Sequence, residues 1–106
     1  MTFRNRAAAA VLLTAFMAGP ALAQTSGADI YKAKCAMCHG PDGLATTPAA
    51  KNLKVISFKA PEKLKATDAQ FIASTKDGKD RMPAYKDKLT DAQIKAVTAY
   101  VRTLQK

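Results

Sequence analysis

Ile94, Val97, Val101 and Leu104 recur at intervals of three, four and three, with Tyr100 widening the stripe, so the C-terminal stretch predicts an amphipathic helix. Thr90-Asp91-Ala92-Gln93 stands at its start. There the threonine hydroxyl and the glutamine side chain satisfy each other's orphan amides, a local signal for a helix beginning. The same four residues occur at Thr67 to Gln70, followed by Phe71, Ile72 and Thr75. They predict a second, shorter helix that Gly78 ends by turning left-handed. Near the other end, Ser26 with Asp29 three residues on predicts a helix from Gly27 to about Met37, with Ile30, Tyr31 and Cys35 at near-helical spacing. Three main helices joined by loops make an all-α fold.

Between these helices the pattern weakens. Gly40, Pro41, Asp42, Gly43, two threonines and Pro48 favour turns, so residues 40–61 are expected to form a long wrapping loop. A stretch of that length without structure needs a reason, and a large ligand to wrap is one. Leu44, Leu53, Val55, Ile56 and Phe58 are the candidates to face it; Val55 to Phe58 could also be a short strand, though no partner strand is evident. A second loop, Asp77 to Leu89, is rich in charge and holds Met82, a methionine outside any apolar periodicity.

The first 23 residues read as a Sec signal peptide: Arg4 and Arg6, an apolar run from Ala7 to Ala18, and the small-residue site Ala21-Leu22-Ala23. The run is too short to span a bilayer. Cleavage there leaves residues 24–106 as one small soluble domain, exported to a periplasm or a thylakoid-like lumen. A chain of this size has a marginal core and leans on a metal, a disulfide or another added core element. The chain carries 17 basic and 8 acidic side chains, and losing Arg4 and Arg6 with the leader leaves a net charge of +7. That surface favours acidic partner proteins; export argues against nucleic acid.

The only two cysteines and the only histidine fall in one word, Cys35-Ala36-Met37-Cys38-His39. This is the attachment pattern of a c-type haem, in which two thiols add to the vinyl groups and the adjacent histidine reaches the iron. Cysteines this close cannot staple distant segments. A structural zinc site needs four ligands and the chain has three Cys or His in all. The strand-and-helix alternation of a thioredoxin-like dithiol is missing. One covalent haem c is therefore the expected cofactor, with Cys35 and Cys38 as its thioether anchors and His39 as an iron ligand. For the sixth position, residues 24–106 hold only Met37 and Met82 as methionines, and Met37 lies between the anchors, too close to cross the ring. Met82 is the candidate, and a thioether favours the reduced iron more than a second imidazole does. An iron left open, or bound by lysine, with Met82 as a loose hydrophobe, is the alternative.

With those residues in view, the chain resembles the class I cytochromes c of the small bacterial monohaem type over nearly all of residues 24–106. Beyond the haem word, Gly27 and Tyr31 stand at that family's spacing before Cys35, and Val97 with Tyr100 match its last helix. The resemblance implies that the two terminal helices cross there, the glycine admitting the aromatic. Arg81-Met82-Pro83-Ala84-Tyr85 is similar to the family's axial-methionine segment, and Asn52-Leu53 to a motif whose leucine packs on the haem. Leu53 and Tyr85 are accordingly expected to touch the cofactor. Ala50-Lys51 replaces the proline whose carbonyl, in better-known members, binds the second ring nitrogen of the histidine, so another carbonyl, near Pro48, is expected to serve.

The implied function is single-electron transfer between exported redox partners such as a membrane oxidase, reductase or dehydrogenase. The protein is expected to be a monomer, without stable membrane insertion and without a reaction of its own. Two alternatives stay open: a haem peroxidase or gas sensor with a labile sixth ligand, and the electron-accepting subunit of a dehydrogenase complex.

Overall fold

In the computed structural model, which describes residues 26–106, the chain opens as one helical rod built of three pieces. Ser26 accepts from the amide of Asp29 at 3.1 Å and starts α1, Gly27–Ile30. The rod loosens into a π-helical turn, Tyr31–Cys35, closed by the Ala36 amide reaching back to the Tyr31 carbonyl, and resumes as α2, Ala36–His39. Then come α3 (Pro48–Leu53), α4 (Pro61–Lys65), α5 (Asp68–Asp77) and α6 (Asp91–Leu104). Among the described residues no strand forms beyond an isolated bridge between Lys79 and Met82. The signal peptide expected over residues 1–23 lies outside the described residues.

Both Thr-Asp-Ala-Gln words cap helices as expected: Thr67 and Thr90 each accept from the glutamine amide at 3.1 Å, and each glutamine returns a bond at 2.8 Å. Other expectations need correction. Residues 40–61 are not one structureless loop, because Thr47 caps the amide of Ala50 at 3.0 Å and Pro48, its φ already helical, opens α3. Val55 to Phe58 forms no strand. The helix begun at Gly27 runs on to His39, and α5 runs to Asp77. Gly78 ends α5 at φ 79°, ψ 166°, an extended mirror-image conformation outside the left-handed helical region.

The terminal helices cross as the resemblance implied. A Cβ on Gly27 would collide with the Ala96 carbonyl and stand 3.2 Å from Tyr100 Cβ, so only hydrogen lets α1 settle on α6. One turn on, the rings of Tyr31 and Tyr100 pack with centroids 5.2 Å apart. Ile30, Tyr31, Ile94, Val97 and Val101 are buried at this crossing and form a core with Phe58 and Leu89. On the other side of α6, Arg102 pairs with Asp68 at 2.8 Å, donates to the Ala66 carbonyl at 2.6 Å and covers the Phe71 ring. That cluster holds α5 against α6.

Candidate functional site

Beside the crossing lies a cavity of about 240 Å³. Its wall is assembled from segments far apart in the chain: Cys35, Cys38 and His39 from the first rod, Leu53 from α3, Met82 and Tyr85 from the second loop. All six residues singled out in the sequence thus line one space. Val55, Ile56 and Phe58 line it too, whereas Leu44 is exposed and does not.

The π-helical turn ends at Cys35. Such a turn inserts a residue into the helical repeat and re-aims the side chains beyond it, a feature common at functional sites. The hydroxyl of Tyr31 then donates to the Gly40 carbonyl at 2.6 Å, closing a brace over the whole Cys-x-x-Cys-His word. Both cysteines are half-buried and are not joined to each other. Burial is the main reason that the Cys35 thiol is pushed up to about 11; Cys38 adds to the rise and Lys34 opposes it.

His39 is neutral. Burial, with a smaller contribution from the cation of Lys63, lowers its pKa to about 4, so at neutral pH the ring presents a free lone pair, the form in which imidazole binds a metal. Its Nδ1 is buried, and no atom of the described residues pairs with it. The carbonyl expected near Pro48 does not fill that role. Pro48 begins α3, where carbonyls turn along the helix axis into its own hydrogen-bond ladder. Instead, the ring stacks on Phe58, centroids 4.6 Å apart and planes 17° from parallel.

Met82 is held by a tight turn. Lys79 and Met82 exchange backbone bonds of 3.1 and 2.9 Å around Asp80, whose φ of 54° is one an aspartate tolerates. Three tethers fix that turn to the rest of the wall. Arg81 donates to the Asn52 carbonyl at 3.1 Å, the Tyr85 amide to the Thr75 carbonyl at 2.9 Å, and the Tyr85 hydroxyl to the Lys34 carbonyl at 3.2 Å. Tyr85 therefore has two functions, lining the cavity and joining the Met82 segment to the cysteine-bearing rod. Burial, then the two cysteines, raises the pKa of its hydroxyl and keeps it a donor.

Sequence reasoning missed Phe71, Val97, Thr98 and Val101, which also face the cavity. The stripe on α6 pointed to helix packing, and only its placement against two neighbours reveals that part of it is cavity wall. The rim is cationic: Lys34, Lys54, Lys63, Lys79 and Arg81 stand against a single carboxylate, Asp80.

These residues fit a haem. Two thiols, a neutral imidazole, a thioether from a separate segment and a largely apolar wall with a cationic rim are the donor set and surroundings it requires.

Comparison with known proteins points the same way. Residues 22–101 match the family model described as cytochrome C oxidase, cbb3-type, subunit III. The cytochrome c6 of Nostoc sp. (strain PCC 7120) is 41% identical over 93 residues, covering 85% of this chain and 80% of that protein. The cbb3-type cytochrome c oxidase subunit FixP of Azorhizobium caulinodans is 35% identical over 86 residues, 81% of this chain but 29% of the longer subunit. Among solved structures, the KustC0563 c-type cytochrome is similar with a TM-score of 0.69 and 31% identity, over 76% of this chain and 99% of that one.

Proposed function

This chain belongs to the small class I monohaem c-type cytochromes and carries one covalently bound haem c, and we propose that it is an exported single-electron carrier with haem anchored at Cys35 and Cys38 and iron held by His39 and Met82. The observation that carries this reading is the meeting of Cys35, Cys38, His39 and Met82 on the wall of one cavity. Haem iron, when bound, supplies a one-electron couple between its ferrous and ferric forms. The rest is done by the chain's own residues. His39 offers an unprotonated nitrogen, and Met82 offers a soft sulfur from a turn tethered at Asn52, Thr75 and Lys34. Val97 and Val101, both buried, keep water from the back of the cavity. Held by both His39 and Met82, a bound iron would have no place left for a substrate, and this reading gives the chain no reaction of its own.

The cationic rim supports acidic redox proteins, such as a membrane oxidase, reductase or dehydrogenase, as partners. The leader-like residues 1–23 support export to a periplasm, and no helix among the described residues is long and apolar enough to cross a membrane.

Absorption spectra of the purified protein, oxidised and reduced, test the ligands. A charge-transfer band from methionine sulfur to ferric iron is expected, lost in Met82→Ala, and the mass should exceed that of the amino acids by one haem. A band that survives Met82→Ala removes Met82 from the iron. Rapid carbon monoxide binding to the untreated reduced protein would favour a gas sensor or peroxidase over a carrier.

A further inference from the structure

We propose that Phe58 is the residue that sets the orientation of the His39 ring on the haem iron, in the place where a hydrogen bond at the second ring nitrogen would ordinarily do so. The inference rests on the assignment of His39 as an iron ligand and adds to it a positioning residue. A metal-bound imidazole is normally aligned by an acceptor at its other nitrogen, which stops the ring from turning and adjusts its basicity. Here Nδ1 of His39 is buried and unpaired among the described residues. What lies against the ring is Phe58, 4.6 Å away between centroids and within 17° of parallel. Rotation of the imidazole about its Cβ–Cγ bond would drive an edge into that face, so a stacked wall restrains the same motion that a hydrogen bond restrains.

A wall restrains only if it is itself immobile, and Phe58 is. Its backbone is pinned at both ends, the amide donating to the Gly43 carbonyl at 3.0 Å and the carbonyl accepting from Gln105 at 2.9 Å. Phe71 meets its ring edge-on at 6.1 Å. On the remaining side the ring fills the space that a side chain at residue 43 would need, since a Cβ on Gly43 would lie 2.8 Å from Phe58 Cδ2. Phe58 is 7% exposed. Three segments of the fold, the turn at Gly43, α5 and the end of α6, thus hold one ring, and that ring stacks on the imidazole.

The plane of an axial imidazole decides which iron d orbital its π electrons enter, so orientation is read directly in the magnetic spectra of the ferric protein. In the holoprotein, Phe58→Leu should shift and broaden the low-spin ferric electron paramagnetic resonance signal and change the spread of the haem methyl proton resonances. Phe58→Tyr, which keeps the ring, should restore both towards the wild type. Reduction potential measured on the same three proteins should move in Phe58→Leu and return in Phe58→Tyr. Unchanged g-values and methyl shifts in Phe58→Leu would overturn the role of Phe58 and leave it a packing residue. The same conclusion would follow if a folded Phe58→Tyr behaved like the leucine variant. Imidazole nitrogen couplings in the wild-type ferric signal separate the two layers. If they are present, failure concerns Phe58 alone; if they are missing, His39 is not the ligand and both assignments fall.

Discussion

The hydroxyl of Tyr31 donates to the carbonyl of Gly40 at 2.6 Å, joining the two residues that bracket the Cys-x-x-Cys-His word. Both partners are buried, so the bond forms away from competing water and braces the segment that has to present two thiols and an imidazole together. Tyr31→Phe keeps the ring against Tyr100 and removes only the brace. It should cost about 1 kcal/mol, seen as a lower midpoint in denaturant unfolding of the holoprotein.

The same hydroxyl makes stability depend on pH at the alkaline end. Burial above all, with smaller contributions from the charges of Tyr100 and Asp42, raises its pKa well above the ordinary tyrosine value. In the unfolded chain the group loses its proton near pH 10, while in the fold it keeps it, so above that pH the folded state binds more protons. The contribution is fully present below about pH 10 and is lost as pH rises towards the folded value. Thermal midpoints of the wild type should fall as pH rises above about 10, and less steeply in Tyr31→Phe. A residual slope from Tyr85, also raised, should remain. Equal slopes would show that Tyr31 titrates normally in the fold.

Gly27→Ala reverses the usual sign of a helix propensity change. Alanine in place of glycine in a helix normally adds up to about 1 kcal/mol. At this position the new methyl meets the Ala96 carbonyl, a backbone atom that cannot step aside, and the helices must separate. A net loss of about 1–3 kcal/mol is expected from overpacking of this kind. A midpoint that stays level or rises would mean that the crossing is looser than its geometry.

Thr47 and Thr46 are adjacent and differ in what they do. Thr47 accepts from the Ala50 amide at 3.0 Å and donates to the Met37 carbonyl at 3.4 Å, linking α3 to the haem word. Loss of that cap in Thr47→Ala should cost about 1 kcal/mol. Thr46→Ala, at an exposed residue outside any cap, should stay within about 0.5 kcal/mol of the wild type. Equal effects would remove the special role of Thr47.

The cationic rim should be felt by any anionic electron acceptor. Oxidation of the reduced protein by hexacyanoferrate should slow as ionic strength rises, because screening shortens the reach of Lys34, Lys54 and Lys79. Lys54→Glu and Lys79→Glu should each lower the rate severalfold at low salt, and Lys95→Glu, on α6 outside the cavity wall, should lower it less. A rate indifferent to salt in the wild type would mean that the rim does not steer encounters.

Legibility in the sequence followed the range of the interactions involved. The two Thr-Asp-Ala-Gln caps could be read because their reciprocal bonds span three residues and need nothing else. The stripe of Ile94, Val97 and Val101 could be read because helical periodicity is a property of one segment. Residues 40–61 were harder: the turn-forming residues that suggest a loop include Thr47 and Pro48, which also begin a helix, and only packing chooses between the two. Leu44 and Phe58 looked equivalent as apolar residues in that stretch, yet one is exposed and the other stacks on His39.

By itself the sequence determined the covalent chemistry, since two thiols and the lone imidazole within five residues must act together wherever the chain runs. It also determined where α5 and α6 begin, because capping is local. Tertiary structure alone decided that α6 lends a wall to the cavity and that Met82 is tied to Asn52, Thr75 and Lys34. It also set Phe58 against the histidine whose second nitrogen has no partner among the described residues. Those relationships join residues tens of positions apart, and no local pattern encodes a contact that exists only once the intervening chain has packed.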